Sequence, residues 1–208
     1  NVCTTIRDMF SGVGLLLPNN QRKSDDIYSG LKFFGGVVGA ESPDIVVKSD
    51  AAQEITNAIR DLGWHADTSV ANVWPHNIRH ERAHETLKSV QRASVLQAGT
   101  DSDSWAASGP HAAIYLSITK LAPILPHEKD AAGNVLEEYK AKSEMTCWEC
   151  HHGGEQFEGK RPAFGQLCFY LDDAASTLMP RTSPGLFISW KLESGYRYRG
   201  VMLVADYN

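Results

Sequence analysis

Apolar residues recur at helical spacing in two stretches of this chain and alternate with polar ones in two others. Ile55, Ala58, Ile59 and Leu62 form one stripe that stops at Gly63, which predicts an amphipathic helix. Ile45-Val46-Val47 reads as a short strand before it, with Ser49 or Asp50 as the N-cap. A second helix is expected from Pro75, which suits a first turn, to about Leu96. Between Ala112 and Leu121, Ala113, Tyr115, Ser117 and Thr119 alternate with Ile114, Leu116 and Ile118 as in a strand. The same period appears at Leu186, Ile188, Trp190 and Leu192, and Ser194-Gly195 then turns into Tyr196 to Val204. That pattern predicts a C-terminal hairpin whose Leu186, Ile188, Trp190 and Leu192 face the core. Val201 to Val204 reads as a strand buried on both faces, with the helix from Ile55 to Leu62 as its lid.

The remaining segments are punctuated by glycine and proline. Thr4-Thr5 caps a short helix through Phe10 that Gly12 and Gly14 end, while Gly30, Gly35, Gly36 and Gly39 break the next stretch into short strand or loop pieces. Gly99 to Gly109 is a polar loop, Pro123 and Pro126 are terminators, and Leu136 to Lys142 suits a short helix. Without a βαβ rhythm or a repeat, the expected class is α+β: a mixed or antiparallel sheet with a C-terminal β-hairpin and two main amphipathic helices. Residues 1–208 are read as a single domain, with a small metal-knuckle insertion near 143–172.

Composition narrows the choice further. Hydrophobic residues make up 42% and charged ones 22% of 208 residues, which excludes wholesale disorder. A net charge of −5 argues against the general character of a nucleic-acid coat. No apolar run approaches the roughly 18 residues that span a bilayer. The first residue is Asn1 rather than methionine, which fits a cleaved precursor or a polyprotein product. Four cysteines permit two disulfides, yet Cys147 and Cys150 are spaced as in metal and redox sites, so the compartment stays open.

His80-Glu81-Arg82-Ala83-His84 matches H-E-x-x-H, which sets two imidazoles one helical turn apart beside a carboxylate and suits a zinc ion with its activated water. His76 extends the row. At about 100° per residue the histidines share an arc with Ala83, Leu87 and Val90, while Arg82 and Glu85 point away. Arg79 and Arg82 depart from the uncharged surroundings that such a buried helix favours. Glu81 is the candidate general base, and His80 and His84 the candidate ligands. Asp101 is the third ligand of choice, ahead of Asp103, His111 and His76. With Gly99-Thr100-Asp101, the motif resembles the aspzincin peptidases, which implies a zinc-dependent peptidase acting on protein or peptide.

A second cluster is Cys147-Trp148-Glu149-Cys150-His151-His152. Cys147, Cys150, Cys168 and His151 or His152 can complete a closed tetrahedral zinc site, while C-x-x-C-H is also the haem-attachment pattern. Cys3, His111 and His127 form a third. Val2-Cys3-Thr4-Thr5 followed by Pro110 to Leu116 resembles the NlpC/P60 cysteine peptidases, which implies a Cys3 nucleophile, a His111 base and His127 as the third polar residue. Asp8 to Gly14 resembles a cytosine-methyltransferase cofactor loop, but the Pro-Cys pair of that family is lacking. Tyr196, Arg197, Tyr198 and Arg199 interleave aromatic and basic groups, as on an RNA-binding strand or a packed hairpin.

The leading expectation is therefore a zinc-dependent, metallopeptidase-like hydrolase using Glu81, His80 and His84. Its rivals are a structural or assembly protein with a zinc knuckle, joined to copies of itself or to partner subunits, and a cysteine hydrolase using Cys3 and His111.

Overall fold

A computed structural model describes residues 2–42, 44–69, 78–171 and 181–207. The fold is α+β, with three small sheets and six helices among the described residues. The chain begins as a hairpin, not as a helix. β1 (Val2–Arg7) pairs antiparallel with β2 (Gly14–Asn19), from Val2 opposite Asn19 to Arg7 opposite Gly14. The β-branched run favours a pleat, and the turn supplies its own closure. The Asp8 carboxylate accepts from the Phe10 and Ser11 N–H groups and from the Ser11 hydroxyl, and Gly12 adopts φ +84°.

The glycine-rich stretch likewise forms a helix, α1 (Ser24–Glu41), kinked at Gly36. Its glycines serve close packing instead of breaking the chain. The Trp64 ring lies against Gly35 and Gly39, and the indole N–H donates to the Gly39 carbonyl. At Gly36, with φ +60°, a Cβ would stand 2.6 Å from the Gly195 Cα, so the kink is where α1 meets the C-terminal sheet.

β3 (Val46–Ser49), α2 (Gln53–Asp61) and β4 (His65–Thr68) form one βαβ unit with the strands parallel. The predicted strand and helix are both present, although Ala52, not Ser49 or Asp50, occupies the cap. Ala58 and Ile59 of α2 pack with Ile27 and Leu31 of α1, and Ile6 of β1 and Val47 of β3 join them. That cluster is the apolar base on which both β1 and β3 rest. It also means that α2 covers α1 and not the C-terminal hairpin.

The histidine helix is α3 (Ile78–Ala98); Pro75 and His76 fall outside the described residues. The predicted strand after it is instead a helix, α4 (Trp105–Thr119). Ser108, Gly109, His111 to Ile114, Ser117 and Ile118 are all buried, so α4 is wrapped on most sides and offers no polar face for a helical period to show. Helical turns at Pro126–Glu128 and Glu137–Tyr139 lead to α5 (Lys140–Glu144) and α6 (Cys147–His151).

β5 (Leu167–Leu171), β6 (Thr182–Glu193) and β7 (Arg197–Asp206) close the chain as an antiparallel sheet in that order. The predicted hairpin is β6–β7, but its facing is reversed over the first half. Phe187 and Ser189 are buried while Leu186 and Ile188 are only half-buried, and Trp190 turns inward through an irregularity in the pairing. Val201 and Leu203 are exposed, so β7 is not covered on both faces. The main core joins Val13 and Leu15, Ile114 and Ile118 of α4, Trp148, and Phe187, Trp190 and Tyr196. Tyr196 is fully buried at φ +59°; its hydroxyl donates to the Gly14 carbonyl at 2.7 Å and lies 2.8 Å from Ser117 Oγ. Among the described residues no helix is long and apolar enough to cross a membrane.

Candidate functional site

Five cationic side chains that are scattered along the sequence line one groove. Arg7 ends β1, Arg79 and Arg82 lie one turn apart on α3, Lys120 caps α4, and Lys129 follows the Pro126 turn. The groove encloses about 440 Å³, and among the described residues it has no carboxylate in its lining. Met9, Pro123, Ile124, Leu125 and Pro126 supply an apolar part of the same wall. In a chain of net charge −5 this is a strong local reversal of sign.

The walls are tied at three places. Arg7 Nη1 donates to the Arg79 carbonyl at 3.4 Å, and Thr5 Oγ1 lies 3.1 Å from His80 Nε2, so β1 and α3 are held side by side. The segment after α4 is anchored by Glu128, whose side chain is wholly buried. Its carboxylate accepts from the Leu125 N–H at 2.6 Å and from Lys142 Nζ at 2.5 Å, and Lys142 in turn sits 4.0 Å over the Phe10 ring. Burial pushes the Glu128 carboxyl up, but the hydrogen bonds from Lys142 and Leu125 outweigh it and hold the group below the usual carboxylate range. Pro123 also nests against the β1–β2 turn, since a Cβ on Gly12 would come within 2.6 Å of its Cδ.

Below the groove is a small pocket of about 60 Å³ that shares Arg7, Ala83, Thr86 and Lys120 with it and is also lined by Thr5, His80 and His84. The two imidazoles stack at 6.3 Å on the inward face expected of them. Burial lowers the pKa of both; Arg7 lowers that of His80 further, while Asp50 and Glu81 act to raise it. His80 thus feels the acid that follows β3 and the acid in the first turn of α3.

The predicted zinc centres do not assemble. Among the described residues no three histidine, cysteine or acidic side chains lie close enough to hold a metal ion. Asp101 caps the turn beyond the far end of the 21-residue α3, so the helix puts roughly 25–30 Å between it and His80. Asp103 lies in that same distant turn, and His111 is buried among aromatic rings. In the expected knuckle, the Cys147 thiol donates to the Leu121 carbonyl, and Cys168 of β5 donates to the Gly185 carbonyl of β6. Burial pushes the Cys147 thiol up to about 11. His151 lies 3.5 Å from the Ser11 hydroxyl, and His152 stacks on Trp148 at 4.0 Å. Cys147 and Trp148 belong to the buried core, and Cys150, His151 and His152 are half-buried beside it.

The cysteine-hydrolase arrangement fails as well. Cys3 is in a strand and not at a helix N-terminus, and burial raises its pKa. His111 is enclosed by Trp190, Phe187, Phe164 and Tyr115, with its nearest polar neighbour the Pro162 carbonyl at 3.5 Å. His127 stands edge-on to Tyr139 on another segment.

No family model matches the sequence, and no curated protein does. Solved structures of viral integrases are similar to it. One is the catalytic core domain of BIV integrase, at 17% identity and a TM-score of 0.41, covering 67% of this chain and 85% of that one. Another is the intasome of simian T-cell lymphotropic virus in complex with PP2A regulatory subunit B56 gamma, at 14% identity and a TM-score of 0.45, covering 99% and 74%. Both scores are too low to equate the folds or to assign a function.

The metallopeptidase expectation is nonetheless overturned. Among the described residues, the motif that suggested zinc has no third ligand in reach. With it goes the peptide substrate, and the expectation, drawn from net charge, of no general nucleic-acid coat character is corrected by the cationic groove. The physical reason is visible in the groove: net charge is a sum, and it hid a local patch of the opposite sign. Arg79 and Arg82, which sat poorly in a peptidase helix, are two of its five cations. Arg7, Lys120 and Lys129 carried no local signal.

Proposed function

We propose that this chain binds nucleic acid along the cationic groove and processes its phosphodiester backbone with the help of carboxylates that follow β1 and β3 and open α3. The observation that carries the reading is the groove itself: among the described residues it has five cations, no anion and a volume of about 440 Å³, in an acidic chain. A polyphosphate backbone is the ligand whose charge density rewards such a lining, through release of its condensed counterions. On this reading the chain does what the name integrase says of the structures it is similar to, and the groove, not the likeness, supports it.

The residues proposed for the chemistry are Asp8, directly after β1, Asp50, directly after β3, and Glu81, in the first turn of α3. Carboxylates of this kind suit a hard divalent cation such as magnesium better than zinc. As placed, they do not converge on one ion, since no metal-holding group of three occurs among the described residues. The Asp8 carboxylate is instead engaged by its own turn. The acids are proposed as the residues on which turnover depends.

The test is a labelled oligonucleotide, bound and then incubated with magnesium or manganese. Affinity should fall with salt, with a log–log slope of roughly −0.7 for each phosphate contacted on a single strand. Arg82→Ala should weaken binding and flatten that slope by about one contact. Asp50→Asn and Glu81→Gln should keep binding and lose cleavage or strand transfer. Salt-independent affinity, or full turnover in both acid variants, would overturn the reading.

A further inference from the structure

The groove carries more than charge, and its shape selects among nucleic acids. We infer that it takes an unpaired strand in preference to a duplex, an inference that rests on the nucleic-acid reading above. Its volume of about 440 Å³ lies in the range of ligand-sized pockets, roughly 300–1,000 Å³, so it is a concavity for one or two nucleotide units. A duplex meets a protein with its convex backbone and keeps its base faces stacked inside. Such a surface can touch the cations but cannot enter.

The apolar lining points the same way. Met9, Pro123, Ile124, Leu125 and Pro126 lie in the same wall as Arg7, Arg79, Arg82, Lys120 and Lys129. For a rigid double helix this surface offers nothing. For an unpaired strand it is a platform on which a base face can rest while its phosphate meets a guanidinium, the combination that sequence-tolerant single-strand binders use. The platform is also built before the ligand arrives. Glu128 fixes the Leu125 N–H and Lys142 from below, and Pro123 is interlocked with the Gly12 turn, so little ordering cost falls on binding.

The experiment compares the intact chain on a labelled single strand and on the blunt duplex made from it, by fluorescence anisotropy at one low salt concentration. The expected result is tighter single-strand binding by roughly tenfold, the scale of one stacked base. Ile124→Ser and Met9→Ser should each shrink that preference by lowering single-strand affinity more than duplex affinity. Arg82→Ala should weaken both together. Thermal melts confirm that each variant is folded, and two apolar variants guard against the loss of one.

Equal binding of the two probes, or a preference for the duplex, overturns this inference and leaves the nucleic-acid reading standing. A preference unchanged in both folded apolar variants also overturns it. Failure to bind either probe overturns both.

Discussion

Lys142 and Glu128 are the residues on which the groove wall hangs, because each is nearly or wholly out of water and each satisfies the other. Removing one partner strands a buried charge, which costs more than the pair contributes. Lys142→Ala should therefore destabilise the fold by about 3 kcal/mol, read as a lower urea midpoint, whereas Lys142→Met with Glu128→Leu should recover much of that loss. His111 gives a second residue-level test. Burial lowers its pKa below the ordinary value of 6.5, with the Pro162 carbonyl opposing, and its Nδ1 has no hydrogen-bond partner. The unfolded chain then takes up the proton first as pH falls. The stability His111 contributes is complete above 6.5 and is lost below it. Unfolding free energies measured between about pH 8 and pH 5 should decline toward acid, and His111→Phe should flatten the decline. His80, His84 and His151 shift in the same direction, so some slope remains.

Among elements, α1 shows how a helix can be specified by its neighbours. Its glycines lower intrinsic helicity, but they let Trp64 and the β6–β7 turn approach closely. The Gly195 N–H donates to the Phe33 carbonyl at 2.8 Å across that contact. Gly36→Ala should cost on the order of 1–3 kcal/mol, since it combines a positive φ with a Cβ 2.6 Å from backbone. Hydrogen exchange should rise first at the β6–β7 turn. Gly63→Ala provides the control: it shares the positive φ, but nothing lies within 4 Å of its Cβ, so it should cost less.

For the molecule as a whole, the C-terminal sheet is part of the main core. Phe187, Trp190 and Tyr196 pack with Val13, Leu15, Ile114 and Ile118, from the opposite end of the chain and its middle. Each large aromatic removed from such a core costs roughly 3–5 kcal/mol, and whole domains are stable by only about 5–15. Truncation after Thr182 should abolish cooperative unfolding and leave insoluble protein. A soluble truncated chain with a sharp thermal transition would show that the remainder folds without the sheet.

Local pattern decided the elements whose environment is one-sided. The helix through Ile55, Ala58, Ile59 and Leu62 and the histidine helix with His80 and His84 turned inward each show a buried and a solvated face, so their periods survive in the sequence, whereas the β6–β7 hairpin was legible as an element but not in its facing. Elements with neighbours on most sides did not show themselves. Residues 112–121 read as a strand because α4 has little polar back, and the glycines of α1 read as breaks because their purpose is contact with residues far along the chain. The H-E-x-x-H run determined a helical face but not a metal, since a third ligand is a matter of distance in space. The groove was decided wholly by tertiary structure. Arg7, Arg79, Arg82, Lys120 and Lys129 span more than half the sequence, and only the packing of β1, α3 and the segment after α4 turns five separate charges into one field.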